Sequence, residues 1–145
     1  KKPVCFIFKR ELLFIPFFGW GILLLNMIHI NRKAGRGAIQ IIVNEAPKQF
    51  ALGRWLVFFP EGTRVRLLEK KRYKIGAAVI ATELNVPIIP IAHNAGKFWK
   101  KNAFIKKPGT IIVKIGNEIF PNGKSPDQII SLVREQIEKL KDEIP

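Results

Sequence analysis

The run Phe58-Phe59-Pro60-Glu61-Gly62-Thr63-Arg64 sets an acid, a glycine, a hydroxyl and a guanidinium side by side, directly after an apolar stretch. A buried strand that halts at a proline delivers such groups to the crevice at the carboxyl end of an open α/β sheet, where ligands bind. Arg64 can grip a phosphate through two parallel N–H donors, and Gly62 lets the backbone approach closely. Taken alone, the tetrapeptide after Pro60 also reads as a strand-to-loop turn with a solvated Glu and Arg. Arg66, Lys70, Lys71, Arg72 and Lys74 follow it, so positive charge collects beside this one strand end.

The other groups with chemical potential are few. His29 and His93 lead, five places on, to Ala34 and Phe98, so neither has a carboxylate partner at that spacing; both are expected to be structural, hydrogen-bonded at strand ends. Cys5 lies in the apolar run Val4 to Phe8 and is expected to be a buried structural thiol. One cysteine forms no internal disulfide, and with two histidines it makes a metal site unexpected. Ser125 and Ser131 lie in the terminal helical segment and outside any G-x-S-x-G, which excludes a hydrolase triad of that type. Gly116 and Gly123-Lys124-Ser125 imitate a phosphate loop, but six residues separate the glycines where the Walker pattern has four, and Pro126 has no N–H to offer.

The elements that must position these groups are legible from periodicity. Val4 to Phe8 reads as a buried strand. Leu12 to Ile30 carries no charge, if His29 is neutral, and approaches the length of a membrane span. Pro16, Gly19, Gly21 and the β-branched end at Ile28-His29-Ile30 favour a Trp20-bearing helix at a membrane interface, followed by a strand. Ile39, Ile42, Val43, Ala46 and Phe50 predict an amphipathic helix over 35–51, closed by Gly53. A buried strand over 55–59, a helix over 73–84 and strands over 86–92 and 110–115 follow. Ser125, Pro126 and Gln128 form a capping box for a last helix lined by Ile130, Val133, Ile137 and Leu140. Strands alternating with helices over 145 residues imply one α/β domain, 1–145, with a largely parallel or mixed sheet flanked by helices.

A net charge of +14 implies an anionic partner: nucleic acid, anionic lipid or a phosphorylated substrate. Lys97, Lys100, Lys101, Lys106 and Lys107 interleave with Phe98, Trp99 and Phe104, a mixture that suits single-stranded nucleic acid or an anionic bilayer surface. No nucleic-acid motif accompanies them, so the membrane surface is the expected partner and no nucleic acid is expected.

FPEGTR at 59–64 followed by VPIIPIAHNAG at 86–96 is similar to the paired signature of the glycerophospholipid acyltransferases. KREL at 9–12 resembles the family's K-x-E-L element, and IHINR at 28–32 its strand ending in arginine. The blocks occur in order and the resemblance covers nearly the whole chain, most closely the bacterial 1-acyl-glycerol-3-phosphate branch. It implies an acyltransferase-like fold and transfer of an acyl chain from acyl-CoA or acyl carrier protein to lysophosphatidate, giving phosphatidic acid. It further implies that Arg32, Glu61, Gly62, Thr63, Arg64 and Lys9 bind the acceptor, while Pro87, Ile88, Ile89, Pro90 and Ile91 shape the acyl-thioester side. No bound cofactor is implied, and the expected location is the cytoplasmic face of the inner membrane, peripheral or interfacially embedded.

The chain departs from that family in one respect that bears on chemistry. The family's His-x-x-x-x-Asp or Glu pair precedes all of these blocks, and nothing here matches it, so no catalytic residue is expected in this chain. Asn31 stands where many relatives carry an acid, and Val65 where serine is frequent. Met27 is the only methionine, so a longer parent protein is expected, with this part retaining acceptor binding. A non-catalytic anionic-lipid or membrane-binding module is the alternative.

Overall fold

The computed structural model describes residues 3–63, 65, 69, 71–100 and 102–145. It divides into two compact units, Lys1–Phe58 and Phe59–Pro145.

The first unit is a three-stranded parallel sheet in the order β2-β1-β3, with β1 at Val4–Lys9, β2 at Ile28–Ile30 and β3 at Trp55–Val57. Val4 aligns with Trp55, and Ile7 with Ile28, so all three strands run toward one carboxyl edge. Parallel neighbours require crossover connections. The first is a 3-10 turn, Arg10–Phe14, then helix α1, Phe18–Leu24; the second is helix α2, Arg36–Ala51.

α2 packs on β2 and β3 and buries Ala38, Ile42 and Ala46 together with Cys5, Ile28 and Ile30. The predicted helix therefore forms, and it continues through Pro47, whose ring removes one hydrogen bond at a cost of about 3 kcal/mol. Ala46 and Gln49 on either side of it are buried. The Gln49 amide nitrogen donates to the Asn26 carbonyl at 3.1 Å, and its oxygen accepts from Arg54 at 3.0 Å, so this buried amide is satisfied at both ends. Arg54 also donates to the Leu25 and Asn26 carbonyls, which ties down the turn between α1 and β2.

The strands β1 and β3, expected to be buried, are covered on one side. Cys5 is fully buried, as its apolar surroundings predict, while Val4, Phe6 and Trp55 are exposed. Successive strand residues point to opposite faces, and α2 packs along the sheet. β3 also ends at Val57, two residues short of the predicted strand.

The second unit holds α3 at Gly76–Leu84, β4 at Ile91–His93, α4 at Ala95–Phe98, β5 at Val113–Ile115 and α5 at Pro126–Asp142. β4 and β5 pair antiparallel, so the strands form a parallel sheet and a separate antiparallel pair. The α/β class is as expected; the extended segment over 86–92 is interrupted because Pro87 and Pro90 have no N–H to donate. Ile88 bridges Ile119 through two backbone bonds of 2.9 and 2.8 Å, Pro90 accepts from Gly116, and only then does β4 begin.

Asn94, buried after β4, bonds the backbone at Thr110 and Ile112 and so holds the approach to β5 without a ladder. The capping box forms as predicted: Ser125 Oγ accepts from the Gln128 N–H, and the Gln128 side chain accepts from the Ser125 N–H. Beneath α5, Ile129, Val133 and Ile137 pack with Tyr73, Ala78, Ala92 and Ile119, with Ile130 and Leu140 at the margin.

Candidate functional site

In the first unit, Lys9 closes β1 and aligns with Ile30 at the end of β2. Arg32 stands two residues later, opening a short 3-10 turn, Arg32–Ala34, that the Asn31 side chain caps by accepting the Lys33 N–H at 3.0 Å. Parallel pairing thus brings both cations to the carboxyl edge of one sheet, and both are exposed. Asn31 needs no acid to do this, since the amide oxygen makes the cap. β3 reaches the same edge and runs by way of Phe58 into FPEGTR.

In the second unit, Phe59–Gly62 is a turn closed by the Gly62 N–H on the Phe59 carbonyl at 2.9 Å. Gly62 has φ +69°, a conformation that L side chains rarely adopt. Its N–H is committed inside the turn, and a Cβ there would lie 2.7 Å from Lys74 Cε and 3.0 Å from Lys74 Nζ. The glycine therefore admits the Lys74 side chain across the turn. Lys74 is itself tied down by its N–H on the Pro60 carbonyl at 2.8 Å. Glu61 is half-buried and Thr63 exposed, while Arg64 lies outside the described residues.

Beside the turn, Tyr73 is buried; its hydroxyl donates to Glu138 at 3.4 Å and accepts from Lys141 at 3.4 Å, and Lys141 donates to Glu138 at 3.0 Å. Burial raises the phenol's pKa above its ordinary 10.0; Lys141 opposes this, and the Glu61 charge adds to it. Burial lowers that of Lys141, but the bond to Glu138 and the negative charge around it win, leaving it above 10.5. This cluster fastens the residue before Lys74 to α5. It was missed from sequence because its partners are 65 and 68 residues apart.

The five residues assigned to the acyl side divide by burial. Pro90 is fully buried and Ile88 packs against the core, whereas Pro87 and Ile91 are exposed and Ile89 lies between. The groove along α5 lined by Lys124, Asp127, Gln128, Ser131, Leu132 and Glu135 contains none of the candidate residues, nor does the one between Gly116 and Leu140. His93 Nδ1 accepts the Ala95 N–H at 3.2 Å, which makes it a turn-forming residue, and the His29 ring lies 6.0 Å from that of Phe8.

Apolar side chains gather after β1. Phe14, Ile15, Phe17, Phe18, Trp20, Leu23, Leu24 and Leu25 are all exposed, Leu24 to 86%. Gly19 is the buried residue of α1: a Cβ there would overlap the Leu13 carbonyl, so glycine lets α1 lie against the preceding 3-10 turn. Phe17 has φ +61°, an unusual conformation for a bulky residue, and its ring packs edge-on to Trp20 at 5.1 Å. Among the described residues, no helix is long and apolar enough to cross a membrane.

The family model described as Acyltransferase matches residues 1–94. The chain is 37% identical over 131 residues to a 1-acyl-sn-glycerol-3-phosphate acyltransferase of Pseudomonas aeruginosa, covering 90% of the chain and 51% of that relative. It is 31% identical to the mouse 1-acyl-sn-glycerol-3-phosphate acyltransferase alpha over 128 residues, 87% of the chain and 45% of that protein. The crystal structure of PlsC, the 1-acyl-sn-glycerophosphate acyltransferase of Thermotoga maritima, superposes with a TM-score of 0.79 at 27% identity, covering 97% of this chain and 56% of that one. The chain spans about half the length of these relatives.

Proposed function

Because the chain belongs to the Acyltransferase family, we propose that it is the acceptor-binding part of an enzyme that acylates 1-acyl-glycerol-3-phosphate to phosphatidic acid. The donor is an acyl thioester, acyl-CoA or acyl carrier protein. Lys9 and Arg32, with Arg64 after the turn, supply the cations for the phosphate. Glu61 and Thr63 meet the glycerol hydroxyl and backbone, and Gly62 sets the turn. Pro87 and Ile91 face the acyl chain, while Ile88, Ile89 and Pro90 hold that strip in place.

In the transfer, the acceptor hydroxyl attacks the thioester carbonyl, its proton passes to a histidine held by a carboxylate, and the C–S bond breaks to release the thiol. Neither His29 nor His93 has a carboxylate at the family's spacing. This chain alone is therefore assigned acceptor binding without transfer.

The supporting observation is that Lys9 ends β1, and Arg32 follows the end of the neighbouring parallel strand β2, at the edge from which β3 runs into FPEGTR. Binding of lysophosphatidate and of uncharged monoacylglycerol, with thiol release from acyl-CoA, tests the reading. Arg64→Ala is expected to weaken lysophosphatidate binding by about 1.5–3 kcal/mol, one charge-assisted bond, and to leave monoacylglycerol unchanged. Unchanged lysophosphatidate affinity removes Arg64 from the site, and thiol release by this chain overturns the division of labour.

The exposed apolar segment 14–25 supports a second assignment, peripheral attachment to the cytoplasmic membrane face. Aromatic residues favour the bilayer interface, and cations nearby attract anionic headgroups. Flotation with anionic and neutral vesicles tests it: equal, salt-insensitive binding to both rules out a role for the basic surface.

A further inference from the structure

We propose that Lys74 is a further phosphate-contacting residue of the acceptor site, preset over the Phe59–Gly62 turn; the inference rests on the reading of that turn given above. A phosphate monoester carries roughly −1.5 to −2 charges near neutral pH. Of the cations assigned to it above, Arg64 is the one that follows the turn, and Lys74 places a second positive charge at the turn itself.

Lys74 is held by what surrounds it. Its N–H is bonded to the Pro60 carbonyl within the turn itself. On one side Tyr73 is buried against α5, and on the other Ile75 packs on the core. Lys74 itself is exposed, and its Cδ, Cε and Nζ occupy the space that a side chain at position 62 would fill. A long flexible lysine normally loses much rotamer freedom on binding; one already laid across the turn loses less.

The arrangement also gives Gly62 a second reason to be glycine. Its positive φ forms the turn, and its missing Cβ makes room for the ammonium. Thr63, the next residue, is exposed.

The test is equilibrium binding by the 145-residue chain of lysophosphatidate, uncharged monoacylglycerol and coenzyme A, comparing wild type with Lys74→Met, Lys74→Gln and Lys74→Arg. Lys74→Met keeps the stem and removes the charge. It should weaken lysophosphatidate binding by about 10- to 100-fold, the loss of one charge-assisted bond, and leave monoacylglycerol unchanged. Lys74→Arg should retain most of the affinity, and Lys74→Gln serves in place of Lys74→Met if that variant does not fold.

Unchanged lysophosphatidate affinity in the neutral variants, with Arg64→Ala impaired, overturns the role of Lys74 and leaves the site intact. Equal weakening toward monoacylglycerol makes the residue a structural one and overturns it too. A loss confined to coenzyme A moves it to the donor and overturns it as an acceptor contact. If Arg32→Ala, Arg64→Ala and the Lys74 variants all bind normally, the acceptor site itself is wrong.

Discussion

Adjacent parallel strands of one small sheet lead into segments of opposite chemistry. After β1 and its Lys9-Arg10-Glu11 margin, the chain runs from Leu12 to Ile28 without a charged residue and presents Phe14, Phe17, Phe18, Trp20 and Leu24 to the outside. After β3 it runs through Glu61 into a stretch holding Arg64, Arg66, Lys70, Lys71, Arg72 and Lys74. The first segment offers apolar surface and the second positive charge, each to a different class of partner.

The comparison can be broken most forcefully by removing what holds the basic turn. Ile129 is fully buried beneath α5, in the cluster that contains Tyr73, so Ile129→Ala is expected to cost about 2–5 kcal/mol. Urea unfolding measures this, and a loss below 1 kcal/mol would mean that this cluster does not support the turn's neighbour.

The apolar segment is tested by a change that should leave the fold alone. Leu24 is 86% exposed, so Leu24→Ser removes little packing. If that side chain enters the bilayer, vesicle partitioning should weaken by about 1.5–3 kcal/mol, the value of burying a leucine. Equal flotation of wild type and variant would place Leu24 outside the lipid.

The smallest effect separates the cluster's electrostatics from its packing. Tyr73 and Lys141 both titrate above their ordinary values when folded. Their contribution is therefore fully present below pH 10 and is lost as pH rises through the folded values. Tyr73→Phe should flatten the alkaline part of the stability curve and change it little at neutral pH. A wild-type curve that stays level above pH 10 would contradict the sign.

Much of this organisation is determined by the sequence alone, for reasons that are local. The capping box of α5 depends on residues three apart, the α2 face on a 3.6-residue period, and the burial of Cys5 on its apolar surroundings. The ordered blocks KREL, IHINR, FPEGTR and VPIIPIAHNAG carry the family in the same way. The strand expected over 86–92 is broken before β4, because Pro87 and Pro90 have no N–H to donate.

Tertiary structure alone decided which partners meet across distance. Periodicity does not say that β1 lies between β2 and β3, and that order is what brings Lys9 and Arg32 to one edge. It does not say that one sheet face stays open, leaving Val4, Phe6 and Trp55 exposed in strands that read as buried. Nor can it reveal that Lys74 folds back over Gly62 while Tyr73 reaches Glu138 and Lys141. Such contacts depend on how the chain closes long loops, a global property that a window of neighbouring residues does not contain.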